Sequence, residues 1–208
     1  MHRVSSLAAA LLLTATVWPA QGETRCTGTV YLTFDTGNMA QAETIARILG
    51  QEQVKATFFL ANEKTFRDDH ALDPAWRDYW RARAAEGHAF GNHSFRHIYL
   101  KRDLPDGKLL VTVNYDGPEI KLDEQGFCAE LKKVDESFHG LTGQHLSGLW
   151  RAPGGRTTQS AIRWAANCGY PVHVHWGEAG FIGDELPLLG QLAVSNHAAG
   201  SGVPTAQT

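Results

Sequence analysis

Between Thr29 and Trp176 the apolar positions alternate between the dense runs of buried strands and the three-and-four spacing of helices. Thr29 to Phe34 predicts a buried strand carrying Val30, Tyr31, Leu32 and Phe34. Asn38 as N-cap, with Gln41 as its capping-box partner, then opens a helix bearing Ala42, Ile45, Ile48 and Leu49 that stops at Gly50. Val54 to Leu60 predicts a second strand, and Asp73 followed by Pro74 starts a helix that Gly87 ends. His88 to Gly91, Leu149 to Arg151 and Val172 to Trp176 predict further strands, and Thr158 to Cys168 a helix closed by Gly169. Phe127, Leu131, Val134, Phe138 and Leu141 make the strongest helical stripe. Residues 101–123 break the rhythm: Leu109 to Asn114 and Glu119 to Leu122 flank Tyr115-Asp116-Gly117-Pro118, a hairpin inserted between two βα units. Strand-then-helix order implies an α/β fold with a parallel sheet, open or closed into a barrel. Ligand chemistry then gathers in the loops at the carboxyl ends of the strands.

The first 22 residues stand outside this alternation. His2 and Arg3, the apolar run from Leu7 to Val17, and the small residues Ala20 and Gly22 predict a signal peptide over residues 1–22. That places the mature protein in the periplasm or the medium, with no membrane attachment, because the run is too short to span a bilayer. Residues 23–187 are expected to form one domain, and residues 188–208, rich in Gly, Ala and Ser, an irregular tail. Export permits disulfides among Cys26, Cys128 and Cys168, and an odd number leaves at least one thiol without an intrachain partner. A net charge of -3 with 20% charged and 43% hydrophobic residues describes an ordinary globular protein and gives no basic footprint for nucleic acid.

Reactive side chains follow the strands directly. Asp35 leaves the first, His93 and His97 the third, Arg151 the next and Trp176 the last. His-x-x-x-His would set two imidazoles on one side of a single helical turn, within reach of one metal ion. Ser94 stands where the zincin motif requires Glu, which excludes that protease class. Singly, a histidine pair is more often structural, Asp35 could cap a strand, and Arg151 could be an ordinary ion-pair partner. Their joint placement after consecutive strands is what points to a site.

Thr33-Phe34-Asp35-Thr36-Gly37, His93-Ser94-Phe95-Arg96-His97 and Arg151-Ala152-Pro153-Gly154-Gly155 occur in that order. Together they resemble the polysaccharide deacetylase family (NodB homology, carbohydrate esterase family four), with Ala56-Thr57-Phe58-Phe59 a lesser match. The family motifs read Thr-Phe-Asp-Asp-Gly, His-Ser/Thr-x-x-His and Arg-x-Pro-x-Gly. The resemblance implies a distorted (β/α) barrel and an exported, metal-dependent hydrolase that removes acetyl groups from N-acetylated polysaccharide, with peptidoglycan favoured. It implies that His93 and His97 hold a divalent metal, zinc or similar, which polarises the acetyl carbonyl and activates a water. Asp35 and Arg151 form the catalytic pair, the carboxylate as base and the guanidinium behind it. Thr36, Pro153, Gly154 and Trp176 would line the substrate, with a backbone N–H near Gly154 facing the oxyanion.

The chain departs from the family in two places. Thr36 replaces an aspartate that ligates the metal in the family, so metal affinity should fall; the muramic-acid deacetylases are similar in lacking that aspartate, with Asn in its place. His173 and His175 share a strand face and are candidates to compensate. Last, removing residues 1–22 from 208 leaves 186, whereas a full barrel takes at least about 200. The final helix and the Leu-x-x-His strand that supplies the family's general acid are expected to be missing, and His197 is the tail's only histidine. Two alternatives stay open: a non-catalytic glycan-binding relative that has lost a ligand and the acid, and an O-acetyl esterase using the same residues. The oligomeric state is not legible.

Overall fold

A computed structural model describes residues 29–176, so the expectations for the signal peptide, Cys26, His197 and the tail lie outside the described residues. In chain order the elements are β1 (Thr33–Asp35), α1 (Ala42–Gln51), β2 (Thr57–Leu60), a 3₁₀ turn (Pro74–Trp76) running into α2 (Arg77–Ala85), β3 (Ala89–Asn92), β4 (Ile98–Asp103), β5 (Leu109–Val113), β6 (Glu119–Leu122), α3 (Glu124–Thr142), β7 (Leu149–Trp150), a 3₁₀ turn (Pro153–Gly155), α4 (Gln159–Asn167) and β8 (Val172–His173).

The main sheet is parallel, in the order β1-β2-β3-β7-β8. Its register is level across the carboxyl ends, pairing Asp35 with Phe59, Leu60 with Asn92, Asn92 with Trp150, and Trp150 with His173. The residues that follow these strands therefore emerge on one side. Among the described residues β1 and β8 are outer strands, and a cavity of about 200 Å³ lies between them, lined by Thr33, Thr57, Phe59, Leu149, Val172 and His173.

Two cores hold the sheet. The first joins α1 and α2 to β2 and β3 through Ala46, Leu49, Phe58, Trp76, Trp80 and Phe90. The second packs Ile98, Leu100, Val111, Phe127, Leu131 and Trp164 beneath the inserted strands. Helix α3 spans both, with Val134, Phe138 and Leu141 in the first and Phe127 and Leu131 in the second. Its start is fixed by Asp123, whose side chain accepts from the Gly126 N–H at 2.8 Å, and its end by Gly143 at φ 79°. Cys128 and Cys168 are joined in a disulfide that ties α3 to the end of α4.

The structure corrects several sequence expectations. The first strand begins only at Thr33, and Val30, Tyr31 and Leu32 are 76%, 67% and 38% exposed, because this outer strand has a neighbour on one side alone. Asn38 is not the N-cap of α1; its Oδ1 accepts from the Ala40 N–H at 2.9 Å in a turn before the helix, and Gln41 stands at the cap. The insert is a three-stranded antiparallel sheet, since β4 pairs with the expected hairpin of β5 and β6.

Candidate active site

Asp35 and Arg151 come from strands at different places in the sheet and meet above its carboxyl ends. Arg151 Nη1 donates to Asp35 Oδ1 at 2.7 Å, Nη2 to Thr33 Oγ1 at 2.9 Å, and Nε to the Val174 carbonyl at 3.2 Å. Its guanidinium lies 4.2 Å from the centroid of Phe59 and 5.3 Å from that of Trp176. A planar, buried cation held at three nitrogens and packed near two rings has little rotational freedom, and it holds Asp35 by one oxygen. Its other oxygen, Oδ2, faces His93 Nε2 at 3.6 Å.

His93 is 2% exposed, with Nδ1 2.8 Å from the Arg151 carbonyl. A carbonyl only accepts, so Nδ1 carries the proton and Nε2 keeps its lone pair toward Asp35. Burial pushes the His93 imidazole below its ordinary pKa, against the pull of Asp35. Burial first, then the charge of His93, brings His97 down to about 3. Both rings are therefore neutral at physiological pH, and their centroids are 4.9 Å apart.

The segment between these histidines is not the expected helical turn. Ser94 and His97 take φ of 60° and 51°, left-handed values that cost a non-glycine residue about 1 kcal/mol or more. Neighbours hold that backbone in place. Asn92 Oδ1 accepts from Ser94 N, Ser94 Oγ from Ile98 N, and the Phe95 carbonyl from Asn62 N, each at 2.9 Å. From α3, the Glu130 carbonyl takes Phe95 N at 3.2 Å, and its carboxylate takes Arg96 N at 3.0 Å and Nε at 2.6 Å. Sequence reading missed Asn92 and Glu130 as positioning residues. Glu130 did leave a signal, a charged residue three positions after Phe127 on the apolar face of α3.

The remaining expected residues divide by what their polar atoms do. Thr36 is 8% exposed; its hydroxyl accepts from Ala61 N at 2.7 Å and donates to the Ala61 carbonyl at 3.1 Å, so its proton and one lone pair are committed to backbone. Pro153 is buried at the head of the turn after Arg151, and Gly154 within it has φ 65°. A Cβ at Gly154 would come 2.8 Å from Tyr99 Cε1, and one at Gly155 would come 2.8 Å from His175 Cε1, so this turn is built for glycine. Trp176 is half-buried against Arg151 and His175. The structure does not support compensation by His173: its Nε2 accepts from Ala152 N at 3.2 Å, which places the proton on Nδ1 and leaves no lone pair for a cation.

The donor set fits a divalent metal in kind. Two neutral imidazoles and a carboxylate are nitrogen and oxygen ligands of the sort zinc takes, but a catalytic zinc normally has three protein ligands. Among the described residues no group of three His, Cys, Asp or Glu is arranged to hold one. His93 and His97 can supply two positions.

A family profile described as polysaccharide deacetylase matches residues 22–173. The chain is 26% identical over 148 residues to the peptidoglycan-N-acetylglucosamine deacetylase of Bacillus cereus, covering 71% of this chain and 43% of that protein. It is 28% identical over 152 residues to the peptidoglycan-N-acetylmuramic acid deacetylase of Bacillus subtilis, covering 73% and 47%. The chain thus spans less than half the length of these curated relatives. Among solved structures, a family 4 carbohydrate esterase of Bacillus subtilis superposes with a TM-score of 0.53 at 22% identity, covering 77% of this chain and 56% of that one. A Bacillus anthracis protein described as a pseudoenzyme of the same family gives 0.51 at 18%, covering 70% and 42%. Both structural likenesses bear on the fold.

Proposed function

This chain belongs to the polysaccharide deacetylase family, and on that footing we propose that it hydrolyses the acetamide of an N-acetylated polysaccharide outside the cytoplasm, with peptidoglycan the favoured substrate. The observation that carries the reading is Asp35, gripped through Oδ1 by Arg151 at 2.7 Å while Oδ2 faces His93.

Asp35 Oδ2 takes a proton from the water that attacks the acetyl carbonyl, as the new C–O bond forms. Arg151 contributes by position, fixing the carboxylate so that this oxygen and not the other meets the water. The Gly154 N–H, in the glycine turn after Arg151, is assigned to the developing oxyanion. When the C–N bond breaks, the departing amine nitrogen needs one proton, and Asp35 holds the one it has just accepted. A divalent metal on His93 and His97 would supply a Lewis acid for the carbonyl oxygen. The neutrality of both imidazoles leaves them open to such a cation. Export is supported by the charged start and apolar run of residues 1–22, and the peptidoglycan assignment by the named activities of the matched relatives.

Thr36 favours a second reading, a glycan-binding relative that does not catalyse, because its hydroxyl is committed to Ala61 where the family places a metal-ligating carboxylate. Acetate release from peptidoglycan and from N-acetylglucosamine oligomers, with and without chelator, separates the two. Hydrolysis should be abolished by chelation and restored by zinc. Asp35→Asn should lower the rate by about 10²- to 10⁴-fold. An Asn variant as active as its parent would sink the mechanism, and glycan binding without acetate release would establish the second reading.

A further inference from the structure

The inserted sheet sends a row of side chains to the same mouth, and we propose that Tyr115, Tyr99 and Lys101 form a subsite for an acidic sugar beside the acetylated one. The inference rests on the glycan reading above. Strand β4 buries Ile98 and Leu100 and turns Tyr99 and Lys101 outward. Tyr99 stands edge-on to His97 with centroids 5.1 Å apart, and Tyr115, in the turn between β5 and β6, stands edge-on to Tyr99 at 5.7 Å. The rings thus run without a gap from the candidate active site to solvent, where Tyr115 is 72% exposed.

The insert packs directly on the site. Gly154 packs so closely on Tyr99 that a Cβ would reach 2.8 Å from its ring, which seats β4 against the turn that follows Arg151. Lys101 Nζ lies 5.8 Å from the Tyr99 centroid and 5.9 Å from that of Tyr115, and among the described residues no carboxylate forms an ion pair with it. An exposed tyrosine adds little to a core. Beside a glycan site it offers a flat apolar face to the C–H face of a sugar ring. The ammonium next to it selects a ring that bears a carboxylate, as N-acetylmuramic acid does and N-acetylglucosamine does not.

The test is calorimetric binding to the full chain carrying Asp35→Asn, so that turnover of the probes is slowed by at least about 10²-fold. The acidic probe is a peptide-free glycan fragment alternating N-acetylglucosamine and N-acetylmuramic acid. The neutral probe is an N-acetylglucosamine oligomer of equal length. The acidic probe should bind more tightly. Tyr115→Ala should weaken both by about fivefold to tenfold, with Tyr115→Trp restoring them. Lys101→Gln should weaken the acidic probe about tenfold and remove its advantage over the neutral one. Unaltered affinity in Tyr115→Ala, no preference for the acidic probe, or no binding of either would overturn the subsite. Acetate release by the chain with Asp35 intact is scored separately. Tyr115-dependent binding without release keeps the subsite and rejects hydrolysis, and release without such binding does the reverse.

Discussion

Arg151 joins three parts of the site through one side chain: a carboxylate, a hydroxyl and a backbone carbonyl, with the rings of Phe59 and Trp176 close to its guanidinium. Lysine could keep the charge but not that fork. Arg151→Lys should therefore retain the fold and lose about tenfold to a hundredfold in acetate release, chiefly in kcat, because the loss is in aiming Asp35 rather than in binding glycan. A rate equal to the parent's would show that Asp35 needs no such clamp. The meeting of Asp35, His93 and Arg151 was legible in the sequence because each stands at or just past the end of a strand, and level parallel strands bring those ends together. Neither the commitment of Thr36 to Ala61 nor the grip of Glu130 on Arg96 could be read in the same way. Both are contacts between distant segments, and periodicity does not encode them.

At the scale of elements the long helix was the most readable and the edges the least. The five apolar positions of α3 are all buried, since a 3.6-residue period repeated over 19 residues admits one face. Strand β1 lost Val30 to Leu32 to solvent, since apolar character alone cannot supply a missing neighbour. Strand β4 went unread because it directly follows the histidine segment, whose spacing drew the helical interpretation, yet its Ile98 and Leu100 alternate with Tyr99 and Lys101 as a half-buried strand should. The disulfide fixes how α4 sits on α3. Cys128 and Cys168 are 40 residues apart in sequence, and closing a loop of that length removes chain entropy from the unfolded state worth up to about 4 kcal/mol. Replacing both by serine should lower the unfolding free energy by about 2–4 kcal/mol, read by denaturant titration under oxidising conditions. A change below about 0.5 kcal/mol would mean that packing alone sets the α3–α4 contact.

Across the whole molecule, the sheet brings buried, neutral histidines toward its carboxyl side, which makes stability depend on acidity. His173 isolates the effect, because it is 2% exposed and is not a candidate metal ligand. Among the described residues its Nδ1 has no hydrogen-bond partner, and burial, reinforced by the charges of His175, Arg151 and His93, brings it from 6.5 down to about 4. Above pH 6.5 the ring is neutral folded or unfolded and costs nothing. As pH falls the unfolded chain takes up a proton that the folded chain refuses, so stability declines from about pH 6.5 and levels off near pH 4, by about 3 kcal/mol from this residue. His93 and His97 shift in the same direction and steepen the parent's decline. His173→Gln keeps an acceptor for the Ala152 N–H but does not titrate. The variant should therefore be less stable than the parent at pH 7 and should close that gap as pH approaches 4, in unfolding titrations across the range. Parallel profiles for the two proteins would mean that protonation at His173 is not what the folded chain resists.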